Sequence, residues 1–353
     1  LLVLVANHLV MDGVTWRILV PDLAAAYAVE TLAPVGTPWR RWALSLADLA
    51  GQPRTEEELD HWRSVLGDTP HTLRLDPARD THANAGEITA ELDADTTEAL
   101  LTWVPGLCHA TVNDVFLSTF ALAVAAWRRG RGEDPDAPVV LDLESHGRHE
   151  EAVPGAELSR TAGWFTSMYP VRLAPPATSG SGSALRALQA VKEQLRTVPG
   201  DGLGHGLLRH LNPTAGPRLA RLPEPDFGFN YLGRRVTPAT GTPEPWTVTG
   251  GGLAGSRPTA PMAHAVELSA VVHEGADGPR LRAEWTFARR LVPDHDARRL
   301  AEQWFRALEA LVEQAGRAGT GGLTPSDVTL GSLSQSEIEE FESDLESEWE
   351  IEQ

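Results

Sequence analysis

The segment from Val112 to Trp127, VNDVFLSTFALAVAAW, is apolar nearly all the way round. A helix of this kind has no face to offer to water, so other elements have to cover it on most sides. The chain carries the material to do so. Glu87 to Leu92, Val139 to Leu143, Met168 to Leu173, Val266 to His273 and Leu281 to Phe287 read as strands. Helical spacing of apolar residues runs over about Ala184 to Val198 and Asp294 to Gln314. Separated strands mixed with long helices define an α+β fold, an α/β sandwich with the Val112 helix at the centre of its lobe.

Upstream the chain is helix-rich. An apolar run, Leu1 to Ala6, reads as a strand and leads through Asn7-His8-Leu9-Val10-Met11-Asp12-Gly13 into a helix marked by Val14, Ile18, Leu23 and Tyr27. A second helical pattern holds Trp39, Trp42, Leu46 and Leu49, and a third runs from about Glu56 to Leu66, with Leu59, Trp62, Val65 and Leu66 on one face. Asp76 to Gly86 is polar, with Pro and Gly, and reads as a link between lobes. The 353 residues, 42% of them hydrophobic, suffice for two lobes with a buried core. The division is 1–75, a link at 76–86, a larger lobe at 87–332 and an acidic tail at 333–353. The opening strand has no Met before it and no neighbour to pair with, and reads as cut from a longer protein. Ala174 to Ser183, Gly200 to Gly206 and Gly250 to Gly255 read as loops, and Pro238 to Pro261 as irregular chain or short strands.

The net charge of −19 excludes a nucleic-acid surface, which needs clustered Lys and Arg. Nine of the acidic residues fall between Leu333 and Gln353, where there is no basic one. A single cysteine, Cys108, allows no intrachain disulfide and points to a reducing compartment, the cytoplasm by default. The run at Leu1 is far shorter than the roughly 20 residues of a bilayer span, so no membrane partner is expected.

Four clusters carry groups suited to chemistry. His8 ends an apolar run at a turn, where an imidazole can exchange a proton near neutral pH; it reads equally as a hydrogen-bonded structural histidine beside Asp12-Gly13. Glu144 lies where the Val139 strand gives way to Ser145-His146-Gly147-Arg148-His149, and a carboxylate in a partly dry cleft can serve as acid or base; the alternative is a solvated charged loop. His146 and His149 sit three apart, but no third ligand is fixed by spacing, so no metal is expected. Phe227 to Arg235 reads as an aromatic strand ending at Gly233, with Asn230 and Tyr231 as donors to a developing oxyanion. Trp164 and Phe165 read as packing residues or as the wall of a substrate channel.

Taken in order, these segments resemble the epimerization domains of non-ribosomal peptide synthetases, relatives of condensation domains in the chloramphenicol-acetyltransferase-like superfamily. NHLVMDGVTWRILVPDL is similar to the family's HHxxxDG segment, LESHGRHE to its EGHGRE motif, SRTAGWFTSMYPVRL to its GWFT block and FGFNYLGR to its NYxGR block. VNDVFLSTFALAVAAW and TPSDVTLGSLSQSEIEE resemble its central helix and closing segment. The resemblance implies a two-lobed V with a tunnel between the lobes, the N-terminal lobe here lacking the stretch that precedes HHxxxDG. It implies a substrate held as a thioester on the phosphopantetheine arm of a peptidyl carrier protein domain, and no cofactor of the chain's own. His8 and Glu144 map onto the two proton-transfer groups, with Asn230 and Tyr231 near the enolate and an L/D mixture as product. Asn7, Asp12, Gly13 and Arg148 fall on framework positions, and Trp164, Phe165, Ser145 and His146 on candidate tunnel positions. Three residues depart from the pattern: Asn7 for the first histidine, Ser145 for a glycine and His149 for the last glutamate. A protonated imidazole at His149, if near, would lower the pKa of Glu144.

Two other functions remain open on these residues, peptide-bond formation by a condensation domain and a non-catalytic carrier-docking module. The tail carries Ile338, Phe341, Leu345, Trp349 and Ile351 among its acids. It reads as a linker or as a docking helix for an adjacent synthetase module.

Overall fold

The computed structural model describes residues 2–67, 72–176, 182–236, 258–317, 322–328, 334–338 and 340. Residues 2–6 form no strand, and Leu2, Val3, Leu4 and Val5 are exposed. The expected opening strand is therefore corrected: apolar β-branched residues favour extended backbone, but only a hydrogen-bonded neighbour makes a strand, and none of the described strands lies beside this run. The chain enters through a 3-10 turn, His8–Val10, and then helices α1 (Gly13–Tyr27), α2 (Trp39–Ala50), α3 (Pro53–Glu56) and α4 (Leu59–Gly67). Trp62, Val65 and Leu66 of α4 are buried, as their spacing predicts.

Next come β1 (Ala85–Glu91), α5 (Ala94–Leu101), α6 (Trp103–Leu107) and α7 (Val112–Gly130). Strands β2 (Val139–Ser145) and β3 (Ser167–Leu173) precede α8 (Ser183–Arg196). The glycine-rich segment expected as a loop instead forms a 3-10 turn, Pro199–Gly202, and a short helix, α9 (Leu203–Gly206). Its glycines answer to close approach: a Cβ on Gly202 would strike the Tyr169 ring, and one on Gly204 the Glu58 carboxylate. Helix α10 (Gly216–Leu219) leads to β4 (Phe227–Val236), β5 (Val266–Gly275), β6 (Gly278–Ala288) and α11 (Asp294–Ala315). Strand β4 does not stop at Gly233; it passes a bulge between Tyr231 and Arg234, where Gly233 takes φ +74°. Most of the Pro238 to Pro261 stretch, the Gly250 to Gly255 segment and the tail beyond Glu340 lie outside the described residues.

The six strands form one mixed sheet in the order β1-β6-β5-β4-β2-β3, parallel at β2–β4 and β4–β5 and antiparallel elsewhere. Successive side chains of a strand point to opposite faces, and the two faces of this sheet differ sharply. One face bears Leu141, Leu143, Phe227, Phe229, Val266, Leu268, Ala270, Trp285 and Phe287, all in the main apolar cluster with α7. The Phe120 ring of α7 lies edge-on to Phe227 and Phe229 and stacks on Trp285 at 6.1 Å. Trp304 of α11 covers Phe116. The helix that shows no polar face is thus enclosed between sheet and helices, the α+β sandwich its sequence predicts. No single helix among the described residues is long and apolar enough to cross a membrane. The other face of the sheet carries Asp142 and Glu144 on β2, Gly228 and Asn230 on β4, and Glu267 on β5.

Candidate active site

Asp12 closes the turn that presents His8. It caps α1, its Oδ1 accepting from the Thr15 amide at 2.7 Å and from the Thr15 hydroxyl at 2.8 Å. Oδ2 accepts from the Phe165 amide at 3.3 Å, and the Asp12 amide donates to the Gly163 carbonyl. Arg148 reaches the same buried carboxylate at 3.4 Å while donating to the carbonyls of Leu158 and Thr161 and lying 4.0 Å from the centre of the Phe165 ring. One ion pair therefore fastens the HLVMDG turn to the loop after Glu144 and to the GWF segment. Gly147 makes the approach possible: it has φ +67°, and a Cβ there would fall 1.7 Å from the Phe165 carbonyl oxygen. Gly13, by contrast, has open space where a side chain would go.

His8 is exposed, and its ring lies 5.4 Å from that of exposed Trp164. Its Nδ1–H donates to the Met11 carbonyl at 2.8 Å. A carbonyl oxygen only accepts, so the bond fixes the tautomer with the proton on Nδ1 and leaves the Nε2 lone pair as the basic site. Asn7 stabilises the turn from its other end, its Oδ1 accepting from the Leu9 amide at 2.9 Å.

Glu144 sits near the end of β2 on the polar face of the sheet. Its carboxylate accepts from the Asn230 side-chain amide. Burial raises its pKa; the charge of Glu267 raises it further, and His264 and His8 draw it down. His8 and Glu144, far apart in the chain, stand on segments that the Asp12–Arg148 ion pair ties together. Tyr231 does not stand with Asn230. As the next residue on β4 it turns to the apolar face, its ring 5.1 Å from that of Phe116. The oxyanion pair expected from Asn230-Tyr231 is corrected by this period-two alternation.

Of the remaining candidates, Ser145 ends β2 opposite Ser167 of β3. His146 accepts the Arg148 amide through Nδ1 and stacks on His149 at 5.4 Å. Phe165 is buried against Trp39 and Trp42, a packing residue. The histidine at 149 joins Glu151 and Asp201, whose ligand-type atoms all fall within 4.8 Å of one another, but Glu151 and Asp201 are exposed to solvent. Sequence reading missed His264, whose ring meets Asp142 at 2.9 Å and Glu267 at 3.1 Å. The i, i+2 spacing of Asp142 and Glu144 was the available signal.

The site has two potential proton-transfer groups on separate elements, one exposed on a turn and one half-buried on a sheet. Such a pair can take a proton from a carbon acid and return one to it. A family model described as "Condensation domain" matches residues 1–319. Chondramide synthase of Chondromyces crocatus is 35% identical over 354 residues, covering 95% of this chain and 8% of that protein. Bacitracin synthase 3 of Bacillus licheniformis is 30% identical over 357 residues, covering 96% of the chain and 5% of that protein. The chain thus spans a small part of the synthetases it matches. The crystal structure of the epimerization domain from the third module of tyrocidine synthetase B superposes with a TM-score of 0.71 at 28% identity, covering 88% of this chain and 68% of that one.

Proposed function

The chain belongs to the condensation-domain family, and on that premise we propose that it epimerizes the α-carbon of an aminoacyl or peptidyl thioester carried on the phosphopantetheine arm of a carrier-protein domain. A thioester acidifies its α-hydrogen because the carbanion delocalises onto the carbonyl oxygen. One of Glu144 and His8 takes that proton, giving an enolate, and the other returns a proton to the opposite face. Starting from the L form the product is an L/D mixture. The ion pair of Asp12 with Arg148, which ties the turn carrying His8 to the loop that follows Glu144 while Asn230 holds the Glu144 carboxylate on the polar face of the sheet, is the observation that carries this reading. The likeness to the tyrocidine synthetase epimerization domain supports it.

The test is hydrogen exchange without an acceptor. An L-aminoacyl or L-peptidyl carrier protein is mixed with the protein in deuterated water; α-deuterium uptake that is lost in Glu144→Gln and His8→Ala is expected. The family model favours a second reading, condensation, in which His8 positions an attacking amine. No deuterium uptake, with peptide formed once an acceptor is added, would replace epimerization by condensation. Carrier binding that survives in both variants with neither reaction would leave a docking module. The acidic tail is proposed to dock an adjacent synthetase module, with a plain linker as the alternative; removal of residues 333–353 that leaves module association unchanged refutes docking.

A further inference from the structure

Asp142 stands two residues before Glu144 on β2, on the same face of the sheet. Asp142 pairs with Gly228 of β4, and Gly228 with Glu267 of β5. One rung further, Glu144 meets Asn230, and Asn230 pairs with Ser269. The middle of the first row has no side chain, and the His264 ring takes that space: a Cβ on Gly228 would lie 2.6 Å from Nδ1. The ring is buried, with Nε2 2.9 Å from Asp142 Oδ2 and Nδ1 3.1 Å from Glu267 Oε1. Ionised carboxylates only accept hydrogen bonds. A neutral imidazole has one N–H and can satisfy one of these partners; an imidazolium has two and satisfies both.

We propose that His264 is a positioning residue for Glu144: as an imidazolium bridging Asp142 and Glu267 over Gly228, it locks the row beneath Glu144 and offsets the carboxylate charge on that face of the sheet. The inference rests on the reading of Glu144 as a proton-transfer group. Burial alone lowers the His264 pKa, but the hydrogen bonds and charges of Asp142 and Glu267 outweigh it and lift it to about 9. The titratable groups around the row are Asp142, Glu144, Glu267 and His8, with His205 of α9 also within reach of the Asp142 charge. Without the cation, Asp142 and Glu144 on β2 share one face of the sheet with Glu267 on β5, one strand beyond β4, and like charge disfavours ionisation.

The experiment titrates Glu144 itself. The protein is labelled at glutamate carboxyl carbons, the Glu144 resonance is assigned by its loss in Glu144→Gln, and its midpoint is followed in the wild type, His264→Gln, Glu267→Gln and the double variant. His264→Gln is expected to raise the midpoint by about one pH unit, equivalent to a tenfold smaller ionised fraction below it. Glu267→Gln is expected to lower the midpoint, and the double variant to return it toward the wild-type value. A merely structural histidine would not produce opposite shifts that cancel. Unmoved midpoints in the two single variants overturn the proposal. Should His264→Gln fail to fold, the ring nitrogens of His264 in the wild-type protein decide: two N–H groups at pH 7 are expected, and a neutral ring there overturns the proposal. The titration needs no substrate, so a protein that titrates as expected yet exchanges no α-hydrogen refutes epimerization and leaves the role of His264 intact.

Discussion

The side-chain amide of Asn230 donates to the Glu144 carboxylate across the seam where β2 and β4 run parallel. The bond fixes the rotation of a group that burial alone would leave to find its own orientation. Glu144→Gln preserves shape and loses the proton acceptor, so deuterium uptake should fall at least about 100-fold, the lower end for removal of a general base. Asn230→Ala keeps the acceptor and loses its orientation, and about a tenfold loss is expected. Equal losses in the two variants would show that Asn230 is more than a guide.

The pKa of Glu144 is raised, first by burial and then by Glu267. A carboxylate acts as a base only when ionised. The acid limb of the exchange rate should therefore lie above the ordinary glutamate value of 4.5, with the rate falling tenfold per pH unit below it. A limb at or under the ordinary value would mean that another group titrates in the rate.

The helix layer was legible in the sequence because α7 has no polar face and α11 and α8 have clear apolar stripes. Glu144 was legible because it stands near the end of a strand, and His8 because it begins a turn. Two things were hidden. Residues 2–6 have the composition of a strand, but pairing is a property of the neighbour. His264 and Asp142 are 122 positions apart, and only the register of β2, β4 and β5 reveals that Gly228 opens the space between them. The direction of Tyr231 follows from alternation along β4, which sends neighbouring side chains to opposite faces of the sheet.

Gly147→Ala should be among the most damaging small substitutions. The residue is in the left-handed region and the new methyl would overlap the Phe165 carbonyl, so either the loop or the GWF segment must move. A loss of about 1–3 kcal/mol is expected from the backbone strain, with the overlap adding to it, measured by urea unfolding. A variant of unchanged midpoint would mean that the loop has a second conformation of equal energy.

Arg148 and Asp12 are both buried at their charged ends, and removal of one leaves the other without its counter-charge. Arg148→Met should cost about 3–5 kcal/mol and free the HLVMDG turn from the sheet. Asp12→Asn should cost less, because the amide oxygen can still accept from the Thr15 amide and so keep the cap on α1. The reverse order would mean that the cap, rather than the ion pair, holds the turn.

The His264 triad should also write itself into the stability of the whole protein. Its folded pKa of about 9 exceeds the ordinary histidine value of 6.5, so the folded state holds the proton more tightly than the unfolded chain. The contribution is fully present below pH 6.5 and is lost as pH rises through about 9. Its size is on the order of 3 kcal/mol, since each pH unit separating the folded and unfolded midpoints is worth about 1.36 kcal/mol. Melting temperature against pH should fall across that window in the wild type and be much flatter in His264→Gln, where this group is absent. Loss of protons from other groups is common to both proteins and cancels in the difference. Parallel curves for the two proteins would mean that His264 is neutral in the folded state, with only one of its two carboxylate partners bound through a proton.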